Sequence, residues 1–168
     1  MDSLACLIFD VDGTLAETEE QHRIAFNDVF AAEGLAWWWD RELYRRLLGV
    51  TGGRERMRYW LELSGGDQAA FDDARLKALH EAKNRRLAER IVAGHCPLRP
   101  GVARIVAAAR AAGLRLAVAT TTSRVNIETL VSTAFGRPAD AVFDTLVTGE
   151  DVRAKKPDPE AYLTVLAR

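Results

Sequence analysis

The stretch that decides the fold is the apolar run Leu4-Ala5-Cys6-Leu7-Ile8-Phe9, followed by Asp10-Val11-Asp12-Gly13-Thr14. A continuous apolar run that stops at Asp and Gly is typical of a strand buried on both faces in a parallel α/β sheet. Asp10 and Asp12 start on the same side of this strand, and Gly13 permits a tight turn that leaves both carboxylates exposed. Two carboxylates this close favour a shared hard cation, so we expect Mg²⁺. The alternative is a solvated turn that only ends the strand.

The residues between this strand and about residue 90 show helical spacing. Apolar residues such as Phe26, Val29 and Phe30 recur three or four positions apart, which predicts a small helical bundle. Turn residues interrupt the pattern at 49–53 and 64–66, as expected between helices.

Strands and helices alternate after a hinge at residues 97–101. An Ala-rich helix over 102–112 ends at Gly113, and a strand over 114–119, a helix over 125–135 and a strand over 141–148 follow it. This order predicts an α/β fold with a parallel sheet and right-handed crossovers. Since ligands bind at the carboxyl ends of such strands, we expect the inserted helices to cover those ends as a lid.

Composition excludes several classes of protein. The 168 residues carry 23 Lys and Arg against 24 Asp and Glu, a net charge of -1, which argues against nucleic acid as a partner. The two cysteines are too few for a disulfide framework and lack zinc-ligand spacing. Because the first residues lack a basic region followed by an apolar stretch, and no apolar run reaches about 18 residues, we expect neither a leader peptide nor a membrane span. We therefore expect a cytoplasmic monomer that binds no membrane.

Two further stretches have the chemistry to bind an anion. Thr120 and Thr121 end the second strand, where hydroxyls and backbone N–H groups before a helix form a small anion receptor. The alternative is that Thr122 or Ser123 only caps that helix. Lys156, ahead of a proline-stiffened helix start, is a positioned charge for a phosphate, although alone it would be an ordinary surface lysine.

In this order, the three stretches resemble the motifs of the haloacid dehalogenase-like (HAD) superfamily of phosphohydrolases. Asp10-Val11-Asp12-Gly13-Thr14 matches the first motif, Thr120 the second and Lys156-Pro157 the third. The resemblance covers essentially the whole chain. It implies a Rossmann-like core domain over 1–16 and 98–168, with a helical cap domain over 17–97.

The resemblance also implies a mechanism. Asp10 would attack phosphorus and form an aspartyl-phosphate, and Asp12 would protonate the leaving alkoxide and later deprotonate water. Mg²⁺ would be held at Asp10 and Asp12. Thr120, Thr121 and Lys156 would bind the phosphate oxygens.

A narrower likeness rests on the run from Leu15 to Asn27, on Trp37-Trp38-Trp39-Asp40-Arg41 and on Val50-Thr51-Gly52-Gly53-Arg54-Glu55-Arg56. These stretches resemble the CbbY-type phosphatases of Calvin-cycle organisms, which act on xylulose 1,5-bisphosphate. Such a substrate requires recognition of a second phosphate, for which Arg54 beside Gly52 and Gly53 is the candidate.

Three further residues are candidate substrate contacts: Glu17, His22 and Tyr44. For His22 and Tyr44 the alternative is packing within the cap, and for Arg54 it is a solvated charge at the start of a helix.

Other functions remain open from the sequence. A sugar phosphomutase like β-phosphoglucomutase would use the same motifs, and phosphonate cleavage would need a cap lysine, although we expect Lys77 and Lys83 to be solvent-exposed. Family members carry a fourth motif with an acidic metal ligand beyond the helix that begins near Pro159. No such residue follows Arg168, so we expect an incomplete core, weak Mg²⁺ binding or an inactive phosphate-binding fragment.

Overall fold

Three strands form a parallel sheet in the computed structural model, which describes residues 4–168. The strands are β1 (Cys6–Phe9), β2 (Arg115–Ala119) and β3 (Thr145–Val147), and they lie in that order. Phe9 is paired with Val118, and Ala119 with Val147. The carboxyl ends of all three strands therefore meet at one edge of the sheet.

Eight helices accompany these strands in the described part of the chain: α1 (Glu19–Ala32), α2 (Arg41–Leu47), α3 (Gly53–Ser64), α4 (Asp73–Val92), α5 (Val102–Ala111), α6 (Arg124–Phe135), α7 (Ala139–Val142) and α8 (Glu160–Leu166). The first four form a helical unit between β1 and the rest of the sheet. The predicted helical bundle is thus confirmed, as are the helices on either side of β2. None of the helices in residues 4–168 is both long and apolar enough to span a bilayer.

The expectation that the first strand is buried on both faces is wrong. All four residues of β1 are half-buried, and Leu4 just before it is 63% exposed. Among the described residues β1 pairs only with β2, so it lies at the edge of the sheet. The central strand β2 is the one that is buried, from Leu116 to Ala119.

The strand expected over 141–148 is shorter than predicted, because its first part is the helical turn α7. Ala139, Val142 and Phe143 have helical spacing and are all buried against the sheet. Alanine also favours a helix over a strand. Local propensity and packing therefore agree on a helical turn up to Val142, and the chain becomes extended at Phe143.

Most apolar side chains of the helical unit form a cluster apart from the sheet, whereas Ala25, Leu87 and Ile91 pack with the sheet core. The centre of the separate cluster is Trp39, which is fully buried and packs against Phe26 and Phe30 with ring centroids 4.7 and 4.9 Å apart. Asn27 fixes this residue by accepting the backbone N–H of Trp39 and donating to its carbonyl. The unit therefore has the packing of a rigid body.

The two chain segments that join the helical unit to the sheet lie side by side. Ala16 forms bridges to Asp12 and to Leu98, and the Arg99 N–H donates to the Leu15 carbonyl. The helical unit is thus anchored at one edge, directly beside the carboxyl end of β1.

Candidate active site

A cavity of about 570 Å³ lies between the carboxyl ends of the strands and the helical unit. Most of the residues predicted as a site line it, namely Asp10, Asp12, His22, Tyr44, Gly52, Gly53, Arg54, Thr121 and Lys156. The convergence follows from topology, because the strand ends share one edge and α1, α3 and α4 face that edge.

Asp10 and Lys156 form an ion pair at the sheet end of the cavity. The Lys156 Nζ donates to Asp10 Oδ1 at 2.7 Å and to the Ala119 carbonyl at 3.1 Å. The lysine is therefore held at the ends of β1 and β2 together. A group in this position can neutralise charge on a phosphate that approaches Asp10.

Asp12 is held by residues of α1 and its N-cap. The Thr18 hydroxyl donates to Asp12 Oδ1, and His22 Nε2 lies 3.3 Å from the same oxygen. Burial raises the pKa of Asp12, but His22, Thr18 and more distant Lys83 outweigh this effect and lower the pKa to about 2. Asp12 is thus a carboxylate at neutral pH.

Lys83 of α4 is buried behind these residues, so the expectation that it is solvent-exposed is wrong. Only 2% of this residue is exposed, and its Nζ contacts His22 Nδ1 at 2.7 Å and Asn84 Oδ1 at 3.2 Å. Burial lowers the pKa of Lys83 to about 7, with Asp12 opposing the shift. The expectation holds for Lys77, whose side chain is 66% exposed.

The loops after β2 and β3 touch each other at the cavity. The Gly149 N–H donates to the Thr122 carbonyl at 3.0 Å, and a Cβ at Gly149 would meet the Thr121 carbonyl oxygen. Thr121 and Thr122 line the cavity, whereas Thr120 is buried beneath them and its hydroxyl accepts the Thr122 N–H at 3.2 Å.

The helical unit supplies the opposite wall through the loop from α2 to α3. Gly52 has a φ of +99°, a backbone conformation that favours glycine, and a Cβ there would also displace the ends of the Glu55 and Lys155 side chains. Beside it, Lys155 donates to Glu55 at 2.5 Å, an ion pair between α3 and the loop that carries Lys156. Arg54 also lines the cavity.

A buried arginine fixes the shape of this loop. Arg56 donates to the carbonyls of Leu47 and Val50 at 3.1 and 3.2 Å, and to the Tyr44 hydroxyl at 3.1 Å. Burial raises the pKa of Tyr44, so the phenol is neutral. Tyr44 is thus a buried cavity residue whose hydroxyl is tied to Arg56.

The structure does not bring Glu17 to the cavity. Its carboxylate pairs with Arg99, which also donates to the Gly13 carbonyl at 2.5 Å. This pair lies at the hinge side of the helical unit and is exposed to solvent.

Several cavity residues were not predicted from the sequence: Ser123, Asn126, Lys83, Asn84, His80, Glu55 and Lys155. The spacing of Leu76, Leu79, Lys83 and Leu87 along α4 carries a signal for one of them, since it places the lysine on the buried stripe. No sequence pattern indicates the contacts of Asn126, because they depend on how α4 packs against α6.

The donor set at Asp10 and Asp12 fits a hard cation. Lys156 bonds to one oxygen of Asp10, and Mg²⁺ binds through one or two carboxylates while keeping several waters. Among residues 4–168, however, no cluster of three or more His, Cys, Asp or Glu side chains has the spacing to hold a metal. Within residues 4–168, the other oxygen ligands on offer are backbone carbonyls, waters and substrate oxygens.

Known proteins have sequences similar to that of this chain. The protein CbbY of Rhodobacter capsulatus is 50% identical over 163 residues, which are 97% of this chain and 70% of the relative. A phosphorylated carbohydrates phosphatase of Thermotoga maritima is 31% identical over 98% of this chain and 70% of its own length.

A solved structure is also similar to this chain in both sequence and fold. A mutant of CbbY from Rhodobacter sphaeroides in complex with xylulose-(1,5)bisphosphate superposes with a TM-score of 0.92 at 47% identity, over 98% of this chain and 72% of the other. The family model for haloacid dehalogenase-like hydrolases matches residues 4–168. By sequence, fold and the position of Asp10 and Asp12, this chain belongs to the haloacid dehalogenase-like hydrolases.

Proposed function

We propose that this protein is a phosphatase that hydrolyses a small sugar phosphate through an aspartyl-phosphate at Asp10, with xylulose 1,5-bisphosphate as the preferred substrate. The observation that carries the proposal is the convergence of Asp10, Asp12 and Lys156 at one end of the sheet, inside a cavity roofed by helices. A nucleophile, an acid–base group and a fixed cation are what phosphoryl transfer needs.

In this proposal residues 17–97 act as a cap domain over a core of residues 1–16 and 98–168. The separate aromatic cluster of the helical unit supports this division. So does the side-by-side pairing of the two connecting segments at Ala16 and Leu98, since a cap needs a narrow connection to its core.

In the first step, a carboxylate oxygen of Asp10 attacks phosphorus, and the bond from phosphorus to the sugar oxygen breaks. The electron pair leaves on the sugar oxygen, which takes a proton from Asp12. The incoming phosphate is itself negative and raises the pKa of Asp12, which favours the protonated form needed here. Lys156 and the backbone N–H of Thr121 stabilise the phosphate oxygens.

In the second step, water attacks phosphorus and gives its proton to Asp12. The bond from phosphorus to Asp10 breaks, which releases phosphate and restores the Asp10 carboxylate. The hydrogen bond from Thr18 and the contact with His22 orient Asp12 for this transfer.

Mg²⁺ would be held by the Asp10 carboxylate and the Asp12 backbone carbonyl, where it would offset the negative charge of nucleophile and phosphate. The closeness of two carboxylates supports this role, because a shared hard cation relieves their mutual repulsion.

The choice of a bisphosphate rests on the far wall of the cavity. Arg54 is the predicted ligand of the second phosphate, and the cavity extends from Asp10 to this residue. A related CbbY structure holds xylulose-(1,5)bisphosphate, and a related phosphatase is named for phosphorylated carbohydrates, which supports the substrate class.

Phosphate release in the presence of Mg²⁺ tests the proposal. Xylulose 1,5-bisphosphate, xylulose 5-phosphate and p-nitrophenyl phosphate should be compared, and the bisphosphate is expected to have the highest kcat/KM. Asp10→Asn should abolish release, and Arg54→Met should remove the preference for the bisphosphate. Equal rates on all three substrates would contradict the substrate assignment.

The covalent step has its own test. Acid quenching during turnover, followed by borohydride reduction, should convert the acyl phosphate at Asp10 to homoserine, which mass spectrometry detects. A product that is an isomerised sugar phosphate rather than free phosphate would identify a mutase instead.

A further inference from the structure

Asp151 lies in the same loop as Gly149 and Lys156, which line the cavity, but its own side chain is not part of the cavity wall. This side chain is 19% exposed, and its Oδ2 accepts two hydrogen bonds from Thr148. The backbone N–H donates at 2.8 Å and the hydroxyl at 2.7 Å. Because Thr148 is fully buried directly after β3, these bonds fix Asp151 to the carboxyl end of that strand.

Two arginines hold the same carboxylate from other elements. Arg124, the first residue of α6, donates to Asp151 Oδ2 at 3.2 Å, and Arg168 donates to Oδ1 at 3.5 Å. Both guanidinium groups also donate to the Leu146 carbonyl of β3, at 3.5 and 3.2 Å. Burial raises the pKa of Asp151, but the hydrogen bonds from Thr148 and the charges of the two arginines outweigh this effect and lower the pKa. Asp151 is thus a carboxylate at neutral pH.

The loop that Asp151 fixes is in contact with the loop after β2. The Gly149 N–H donates to the Thr122 carbonyl at 3.0 Å, next to Thr121 on the cavity wall. Arg124 begins α6 directly after this second loop. Asp151 therefore acts on the loop after β2 along two routes: through Gly149, two residues away in the chain, and through its ion pair with Arg124.

We propose that Asp151 is a positioning residue for the reacting phosphate, because it holds the loop after β3 against the loop after β2. The inference rests on the proposed function, in which the Thr121 N–H stabilises phosphate oxygens. Backbone donors stabilise such oxygens well only when the surrounding structure keeps them in place, and an error of about 1 Å can cost a factor of a hundred. The alternative is that this network only stabilises the fold.

Asp144 provides a matched control in a network of the same kind. Its carboxylate accepts the Leu116 N–H at 2.7 Å and two bonds from Arg110, at 2.9 and 3.0 Å. Asp144 directly precedes β3, so its network lies at the amino end of the strand, whereas Asp151 lies at the carboxyl end beside the cavity. Loss of either carboxylate removes hydrogen bonds to one arginine and one backbone N–H, but we expect only loss of Asp151 to change phosphate binding.

The first measurement compares Asp151→Ala with Asp144→Ala. Titration calorimetry of inorganic phosphate in the presence of Mg²⁺ should show at least about tenfold weaker binding for Asp151→Ala, because the phosphate meets a displaced loop. Asp144→Ala should leave the dissociation constant within about twofold, although it lowers the thermal midpoint. Equal dissociation constants in the two variants would show that Asp151 only stabilises the fold and would overturn the proposal.

Asp151→Asn is the conservative variant, and it carries the test if the alanine variant does not fold. It keeps an oxygen for Thr148 but removes the charge that pairs with Arg124, so we expect phosphate binding about fivefold weaker than in the parent. Asp144→Asn is its control and should bind phosphate like the parent. Parental affinity in Asp151→Asn would overturn the proposal, since the ion pair is part of it.

Hydrogen exchange at the Gly149 amide measures the loop contact without any turnover. Asp151→Asn should speed this exchange several-fold, whereas Asp144→Asn should leave it unchanged. Unchanged exchange, or faster exchange with parental phosphate affinity, would overturn the positioning role.

These measurements separate the inference from the proposed function. A parent protein that binds phosphate but releases none from sugar phosphates would contradict the phosphatase assignment, and weaker phosphate binding by Asp151→Asn would still support the positioning role. Phosphate release by Asp151→Asn at the parental kcat/KM would overturn the positioning role and leave the phosphatase assignment standing.

Discussion

The Lys83 side chain is buried because its position on α4 belongs to the apolar stripe of Leu76, Leu79 and Leu87. Charged neighbours in the sequence conceal this stripe, which is why we expected exposure. Burial of one ammonium is costly unless hydrogen bonds compensate for lost water, and here His22 and Asn84 do so only in part. The folded protein therefore disfavours the proton on Lys83.

Replacing Lys83 with methionine should change the pH dependence of stability. The pKa of the amine is about 7 in the folded chain and 10.5 in the unfolded chain. The charged or titratable groups that face it are His22, Asp12 and Arg56. Between these values the unfolded chain holds the extra proton, so the stability of the unmodified protein rises with pH. Lys83→Met has no such difference in proton binding. Its free energy of unfolding, relative to that of the unmodified protein, should therefore fall by roughly 1 kcal/mol for each unit of pH increase.

Urea unfolding at pH 7, 8 and 9 measures this difference. Lys77→Met, on the exposed side of the same helix, serves as the control and should show no pH-dependent difference. A constant difference between Lys83→Met and the parent over this range would contradict the lowered pKa.

A methyl group at Gly149 should damage the phosphate-binding loop. The added carbon would overlap the Thr121 carbonyl oxygen and lie 3.1 Å from its carbon, and backbone atoms cannot move aside as a side chain can. Gly149→Ala is expected to cost about 1–3 kcal/mol of stability and to lower phosphate release at least tenfold. Gly66→Ala, whose new methyl meets only the end of the Leu61 side chain, is the control; similar activity loss in both would contradict the loop contact.

At the scale of elements, the sequence predicted what depends on local pattern. The alternation of strands and helices after residue 97, and the placing of Asp10, Thr121 and Lys156 at one sheet edge, follow from apolar runs and parallel topology. The turn α7 was missed because a short apolar run fits a strand or a helix equally well. The contacts of Asn126 were missed because packing of α4 on α6 decides them.

Removing Arg56 should loosen the loop from α2 to α3. Arg56→Met loses three hydrogen bonds, including those to the carbonyls of Leu47 and Val50, and is expected to cost about 2–4 kcal/mol in urea unfolding. Because this loop carries the predicted distal phosphate ligand, KM should rise more than kcat falls. Arg58 lies on the same helix as Arg56 and pairs at the surface with Asp73 of α4. Arg58→Met is the control and should change the free energy of unfolding by less than about 0.5 kcal/mol. A change in kcat alone would argue against a role in substrate binding.

At the scale of the whole molecule, the helical unit contacts the rest of the structure in several places. These include the connection at Ala16 and Leu98, the packing of α4 against α6, and the ion pair between Glu55 and Lys155. Burial raises the pKa of Glu55, but the hydrogen bond from Lys155 and nearby positive charge outweigh this effect and lower the pKa, so Glu55 pairs with Lys155 as a carboxylate. The pair therefore links α3 to the loop that carries Lys156.

A double-mutant cycle on this pair tests whether it holds the cavity closed during turnover. Glu55→Gln and Lys155→Met are each expected to lower kcat/KM several-fold, and the double variant should be no worse than either single variant, because the same contact is lost in all three. The coupling in stability should stay below about 1 kcal/mol, since both side chains are partly exposed.

Raising the ionic strength should reduce the activity of the parent more than that of the variants. The same cycle on Arg86 and Glu89, an exposed pair within α4, is the control. Additive losses at Glu55 and Lys155 would show that the two residues act separately and would rule out closure through their contact.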